Sequence, residues 1–342
     1  MLSLSIHDFG QNEWAELVSK FQDLSLLQTW EYGLAKAQTG PWKVQRGIFL
    51  DNEHVVGAFQ ALVRTIPGLD RGLVWINRGP LWERDGNPNS SLLLGMMKGL
   101  RNYWVDQRHM YLRVAPPSRE GQIEAKSLQE IGYRLDESLP GWASERVDFS
   151  QPVGTLRGQL QQKWRNCLNK AEKLGLVVES GSETSLFEEF LVEYRKMLTD
   201  RQFHSSVTPT LLSRLQELLP PERKLWVLAA RQGERALGGV LIARYGEVAE
   251  YLAGSVNDDG RRVNAGQLLL WRALCEMKDQ GYRWFDLGGM HPERTPSGIF
   301  HFKAGVGGTP YRLIGEIEAH DGSWINRILR WRVHHAREAV GV

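Results

Sequence analysis

Apolar and polar positions alternate along this chain in two long stretches that follow the same plan. Residues 44–64, VQRGIFLDNEHVVGAFQALVR, hold two period-two runs, which predict a pair of strands turning at Asp51-Asn52. Residues 226–244, WVLAARQGERALGGVLIAR, hold a second pair with Gln232-Gly233 at the turn. Glycine follows the start of the second strand in both pairs, Gly57 in one and Gly238-Gly239 in the other. A third strand is expected after each pair, at 72–79 and at 248–254. The period then becomes helical at 91–107 and at 264–281, where Leu270, Trp271, Leu274 and Met277 share a stripe. Asn264 followed by Gln267 reads as a capping box, and Gly281 as a C-terminal stop. A further strand is expected after each helix, at 109–116 and 282–289. The order β-β-β-α-β therefore occurs twice. It predicts an α/β fold of mixed sheets in two similar domains, 1–150 and 151–342.

Between the repeats, helices are expected over 158–174, 183–200 and 208–219, closed respectively by Gly175, by the end of the apolar periodicity and by Pro220-Pro221. The last segment, 322–338, reads as a basic amphipathic helix. Residues 285–308, FDLGGMHPERTPSGIFHFKAGVGG, run from a strand into Gly288-Gly289, through a loop, to Phe302-Lys303 ahead of more glycine. Glycine lets backbone approach a ligand closely, and a lysine beside it can hold an anion or developing negative charge.

Composition narrows the classes. A length of 342 residues exceeds one ordinary core, and 42% hydrophobic with 24% charged residues is ordinary for a globular protein. A net charge of +2 supplies no global field for nucleic acid, so such contacts must come from local patches. Cys167 and Cys275 are too few for a disulfide framework or a zinc site, which suits a reducing cytosol. The first residues lack a signal-peptide pattern, and no run of about 18 apolar residues predicts a spanning helix. Nine histidines without HExxH-like spacing give no reason to expect a metal. No GxSxG elbow is present, and the glycines at 305, 307 and 308 lack a dinucleotide-site context, so no cofactor is expected.

Several segments together resemble the FemABX family of peptidoglycan-bridge aminoacyltransferases. They are LLQTWEYGLAK (26–36), INRGPLW (76–82), KWRNCLNKAEKLGLVVE (163–179), DRQF (200–203), EYLAGS (250–255), NAGQLLLW (264–271) and 285–308. The resemblance runs from about residue 20 to 318 and rests on their order and spacing. It implies two tandem GNAT-like acyltransferase domains. It also implies transfer of an amino acid from aminoacyl-tRNA to an amine of a UDP-linked or lipid-linked muropeptide. The chain lacks the long helical hairpin that some members insert in the second domain, which leaves tRNA contact less defined.

By this resemblance Phe302 and Lys303 match a Phe-Lys pair at the catalytic cleft; otherwise Lys303 is a surface lysine after a buried aromatic. Lys36 and Arg201 match a lysine and an arginine that bind the diphosphate and sugar of the precursor, and each also reads as a solvated helix-end cation. Tyr251 matches a precursor-site tyrosine or is core packing. From the residues themselves, Asp286 is a candidate proton acceptor or a loop cap, and Arg78 a groove residue or part of a turn at Gly79-Pro80. Lys163, Arg165, Lys170 and Lys173 form a basic stretch that fits tRNA phosphates or a solvated face, as do Arg327, Arg330, Arg332 and Arg337. The final helix alternatively suits an anionic membrane surface, with Trp324, Ile325, Ile328, Leu329 and Trp331 facing lipid at the cytoplasmic side.

An alternative is an N-acyltransferase using acyl-CoA or an acyl carrier. Such GNAT-type domains hold pyrophosphate at a Q/R-x-x-G-x-G/A turn. Here RRVNAGQ (261–267) has Ala265 and Gln267 where the glycines belong, and GNPNSSL (86–92) lacks the pattern too. A non-catalytic muropeptide binder is disfavoured by the co-occurrence of Lys36, Arg201 and Lys303.

Overall fold

The structure, a computed structural model, describes residues 2–84, 89–136, 139–202 and 205–338, without the side chains of 336–338. Part of the 86–92 turn, Phe203 of DRQF and the Arg337 side chain therefore lie outside the described residues. The chain divides into two units, Met1–Trp142 with Arg312–Val342, and Ala143–Tyr311.

The first unit holds a mixed sheet of β1 (Ser3–Ile6), β2 (Lys43–Asp51), β3 (His54–Thr65), β4 (Gly72–Asn77), β5 (Tyr111–Ala115) and β6 (Arg134–Leu135). The second holds β7 (Ala143–Asp148), β8 (Val177–Gly181), β9 (Trp226–Gln232), β10 (Arg235–Tyr245), β11 (Val248–Val256), β12 (Trp284–Asp286) and β13 (Thr309–Arg312); β14 (Ile317–Ala319) returns to the first sheet. The sheet orders are β1-β2-β3-β4-β5-β14-β6 and β13-β7-β12-β11-β10-β9-β8. Both contain the expected meander followed by a helix and a parallel strand, with β4 beside β5 and β11 beside β12. Parallel neighbours need such a crossover.

The expected cut at 150 moves. In each sheet the strand after the crossover needs an antiparallel neighbour, and this comes from outside the repeat. β14 pairs with β5, and β7 pairs with β12. The C-terminal helix, Trp324–Glu338, consequently belongs with the first unit instead of the second.

Both hairpin turns fall one residue later than expected. Asp51 pairs with His54 around Asn52-Glu53, both at positive φ (47° and 69°), and Gln232 pairs with Arg235 around Gly233-Glu234. Positive φ matches a two-residue turn to the strand twist. The helix expected over 158–174 is broken into Val153–Gln159 and Gln162–Lys173, because Leu160 turns extended and buries its side chain while the Gln161 N–H donates to the Gly305 carbonyl. The capping box does not form. Asn264 sits in the left-handed region with no side-chain cap bond. Gly281, at φ 88°, follows that helix as expected.

Beneath the second sheet, helices Gln162–Lys173 and Ala265–Asp279 bury Trp164, Leu168, Leu269, Leu270 and Leu274 against Val147, Val240 and Phe285. Side chains alternate across a strand, so Glu250, Asp286 and Arg146 share the opposite face. They stand in register across β11, β12 and β7. The expected loop before Lys303 is instead a helix, Ser297–Ala304.

Candidate functional site

Ligands of open α/β sheets gather beyond the C-terminal ends of parallel strands. In the second unit that place is where β11 and β12 end, and it is here that the chain delivers its glycines and its lysine. β12 closes at Asp286, Gly288 turns the backbone at φ 69°, and helix Ser297–Ala304 brings Lys303 back. A Cβ on Gly288 would lie 2.5 Å from the Tyr251 carbonyl oxygen, so the turn requires glycine. Gly288→Ala is expected to lower the melting temperature and slow turnover together, since both the left-handed φ and the contact oppose it; thermal melts and steady-state rates check this.

Lys303 is buried, with 6% of its surface exposed. Its Nζ donates to the Gly289 carbonyl at 3.1 Å and lies 4.9 Å from the centre of the Tyr251 ring. Burial lowers its pKa to about 8, against the opposing pull of Asp286 and Glu250. The ammonium thus persists at neutral pH and is poorly solvated, the state in which a cation best stabilises nearby negative charge. Activity that needs the ammonium should fall as pH rises through about 8. Stability should move the other way over the same range. The unfolded chain holds the proton up to the ordinary lysine value near 10.4, so the folded form gains relative stability from about 8 upward. A pH–rate profile beside pH-dependent melts tests both signs.

Asp286 does not fit the role of proton acceptor. Its Oδ1 accepts from Ser144 Oγ (2.6 Å) and the Gly288 N–H (2.9 Å), and its Oδ2 from Arg146 Nε (3.1 Å) and the Tyr311 hydroxyl (2.6 Å). Burial alone would raise its pKa, but Arg146 and these hydrogen bonds outweigh it and hold the carboxyl below the usual range. A carboxylate so engaged is a weak base. It anchors the glycine turn and contributes negative potential to Lys303. Glu250, beside it in register, accepts from the Tyr245 hydroxyl at 2.5 Å.

Phe302 packs on Trp164, with ring centres 6.3 Å apart, and the Trp164 indole N–H donates to the Phe302 carbonyl at 2.9 Å. The Phe302 ring also covers Gly266 in the first turn of helix Ala265–Asp279. Lys303, Phe302, Asp286 and Tyr251 are thus brought together. Arg201 is exposed at the end of helix Thr184–Asp200, close enough to Arg261 that, after burial, its charge contributes to lowering the Arg261 pKa. Lys163, Lys170 and Lys173 share one exposed stripe with Asn166, whereas Arg165 lies off it and bonds to Gln162 and Gly158.

Lys36 and Arg78 belong to the first unit. Lys36 is half-buried in helix Trp30–Thr39, burial lowers its pKa, and no hydrogen bond or ion pair holds it among the described residues. Arg78 follows β4 in the left-handed region at φ 58°, uncommon for a non-glycine residue, and its guanidinium stacks on Trp142 at 4.5 Å. Ser144, Arg146 and Tyr311 were not singled out by the sequence. A polar residue at every second position of ASERVD is the available signal, and Glu145 between Ser144 and Arg146 masks it as an alternating strand.

Residues 158–304 match the acetyltransferase (GNAT) domain family. No curated protein matches the chain by sequence. Among solved structures, FemX matches with a TM-score of 0.79 at 14% identity, covering 95% of this chain and 99% of that one. A tandem GNAT protein from the clavulanic acid biosynthesis pathway matches at 0.53 and 13% identity, covering 94% and 99%. L-PGS from Bacillus licheniformis matches at 0.54 and 13%, covering 94% and 96%.

The chain has a tandem GNAT fold. In the tandem GNAT fold, an acyltransferase fold, the buried Lys303 ammonium stands at the end of the parallel pair of the second domain. No helix among the described residues is long and apolar enough to cross a membrane.

Proposed function

We propose that this acyltransferase fold moves an amino acid from aminoacyl-tRNA to the stem-peptide amine of a peptidoglycan precursor, UDP-linked or lipid-linked, in the cytoplasm. The observation that carries this reading is the desolvated Lys303 ammonium between Gly289 and Tyr251, in a fold that matches FemX over nearly its whole length. A neutral amine attacks the ester carbonyl, the new C–N bond forms, and negative charge gathers on the carbonyl oxygen, where Lys303 stabilises it. As the C–O bond to the ribose breaks, the proton lost by the amine ends on the departing hydroxyl. An ester gives way to an amide, so no covalent enzyme intermediate is needed. Within the second unit the Arg201–Arg261 pair is a cation cluster suited to a diphosphate, Tyr251 lies beside Lys303, and Lys163, Lys170 and Lys173 suit tRNA phosphates; within the first unit Lys36 and Arg78 are candidate precursor contacts in their own right.

A second reading, N-acyl transfer from acyl-CoA, draws on the GNAT match over 158–304. Against it, the first turn of helix Ala265–Asp279 has Ala265 buried and Gly266 covered by Phe302, where a pyrophosphate would need open backbone. Incubation with charged tRNAs and a UDP-muramoyl pentapeptide, read by mass, tests the first reading. A gain of one aminoacyl residue supports it, and an unchanged acceptor with every charged tRNA defeats it.

A further inference from the structure

The C-terminal helix Trp324–Glu338 is pinned along one side and bare along the other. Asn326 is fully buried and its amide donates to the His109 carbonyl (3.1 Å) and to Asp321 (2.8 Å). One turn on, Arg330 Nε donates to Glu318 at 2.5 Å, and His334 lies 3.4 Å from the same carboxylate. Leu329 and Ile325 turn toward this side, contrary to the expectation that they face outward with the tryptophans. At 100° per residue, Trp324, Ile328, Trp331 and His335 fall on the opposite stripe. There the exposures are 71% for Trp324, 46% for Ile328 and 58% for Trp331. Arg327 and Arg332, both exposed, border the stripe on either flank, and residues 324–335 contain no acidic side chain.

We infer that this face docks on an anionic lipid bilayer. Tryptophan rings favour the headgroup level, where the apolar body is buried and the indole N–H stays hydrated. Flanking arginines meet lipid phosphates, so the surface is complementary in both polarity and charge. The ion pairs on the inner side fix the rotation of the helix, so the stripe is presented without reorganisation. A second copy of the chain would bring four arginines together with no carboxylate from this face between them, which like-charge repulsion opposes. The inference deepens the proposed function by naming where a lipid-linked acceptor is met, and it rests on that reading only for this consequence.

The test is sedimentation of the full chain with phosphatidylcholine vesicles containing about a third phosphatidylglycerol, against phosphatidylcholine alone. Binding is expected to the anionic vesicles, weakened by salt. Trp324→Ala with Trp331→Ala, and separately Arg327→Glu with Arg332→Glu, should each weaken it by about tenfold or more. Circular dichroism verifies that these exposed substitutions leave the fold intact, and the tryptophan pair should leave transfer to a soluble UDP-linked acceptor unchanged. Vesicle binding without any transfer would leave the docking standing and remove the proposed function. Equal sedimentation of native and variant chains would overturn the docking. So would a native dimer that the tryptophan pair dissolves, or RNA retention lost with the arginines while vesicles are ignored.

Discussion

Lys303→Met is expected to lower kcat for acyl transfer by about 10²- to 10³-fold, with KM nearly unchanged. Methionine keeps the unbranched shape and removes the charge. The ammonium acts on charge that grows only as the carbonyl is attacked, so its loss falls on the transition state and spares ground-state binding. Unfolding does not explain such a loss. Burial disfavours this ammonium, as its lowered pKa records, so removing it should leave stability equal or slightly higher. A melt alongside the kinetics separates the two. Equal kcat for native and variant would remove Lys303 from the reaction.

Asp286→Ala should have the largest effect on stability, a loss of about 3–5 kcal/mol. The carboxylate is 3% exposed and satisfies Ser144, Arg146, Tyr311 and the Gly288 N–H at once. Its removal takes the carboxylate from the part-buried Arg146 guanidinium and the acceptor from the Gly288 N–H, while Ser144 keeps the Gly288 carbonyl. Adding Arg146→Met should recover part of the loss, because the two side chains face each other across β12 and β7. The pH sign follows from the depressed folded pKa. The contribution is present above the unfolded carboxyl value near 3.9 and disappears as pH falls through the lower folded value. The native chain should therefore lose more stability than the Asp286→Ala chain below about pH 4, measured by urea unfolding. Parallel acid curves would count against the network.

The repeated meander was legible because period-two alternation marks strands with one face on a core, as in β2, β3, β9 and β10. The parallel strands β5 and β12 were legible from the helices that precede them. Short strands were not. β14 and β13 have three and four residues, too few for a period, and only tertiary pairing makes them strands. This is why the unit boundary shifted and the last helix changed sides. In the site, Lys303 and Gly288 could be found because glycine beside a cation is a local signal. The partners of Asp286 come from Ser144, Arg146 and Tyr311, which are far from it in sequence. No local pattern could show that four donors would saturate the carboxylate expected to act as a base. Arg165 likewise belongs to the basic segment in sequence but not to its exposed stripe, because 200° of helix separates it from Lys163.

The most direct measurement offers both donors at once. The full chain is given aminoacyl-tRNA and acetyl-CoA together with a muramoyl pentapeptide acceptor, and the acceptor is weighed. The account predicts a product heavier by one amino-acid residue, formed by the native chain and almost absent with Lys303→Met. An acetylated acceptor, made equally well by both chains, would contradict it.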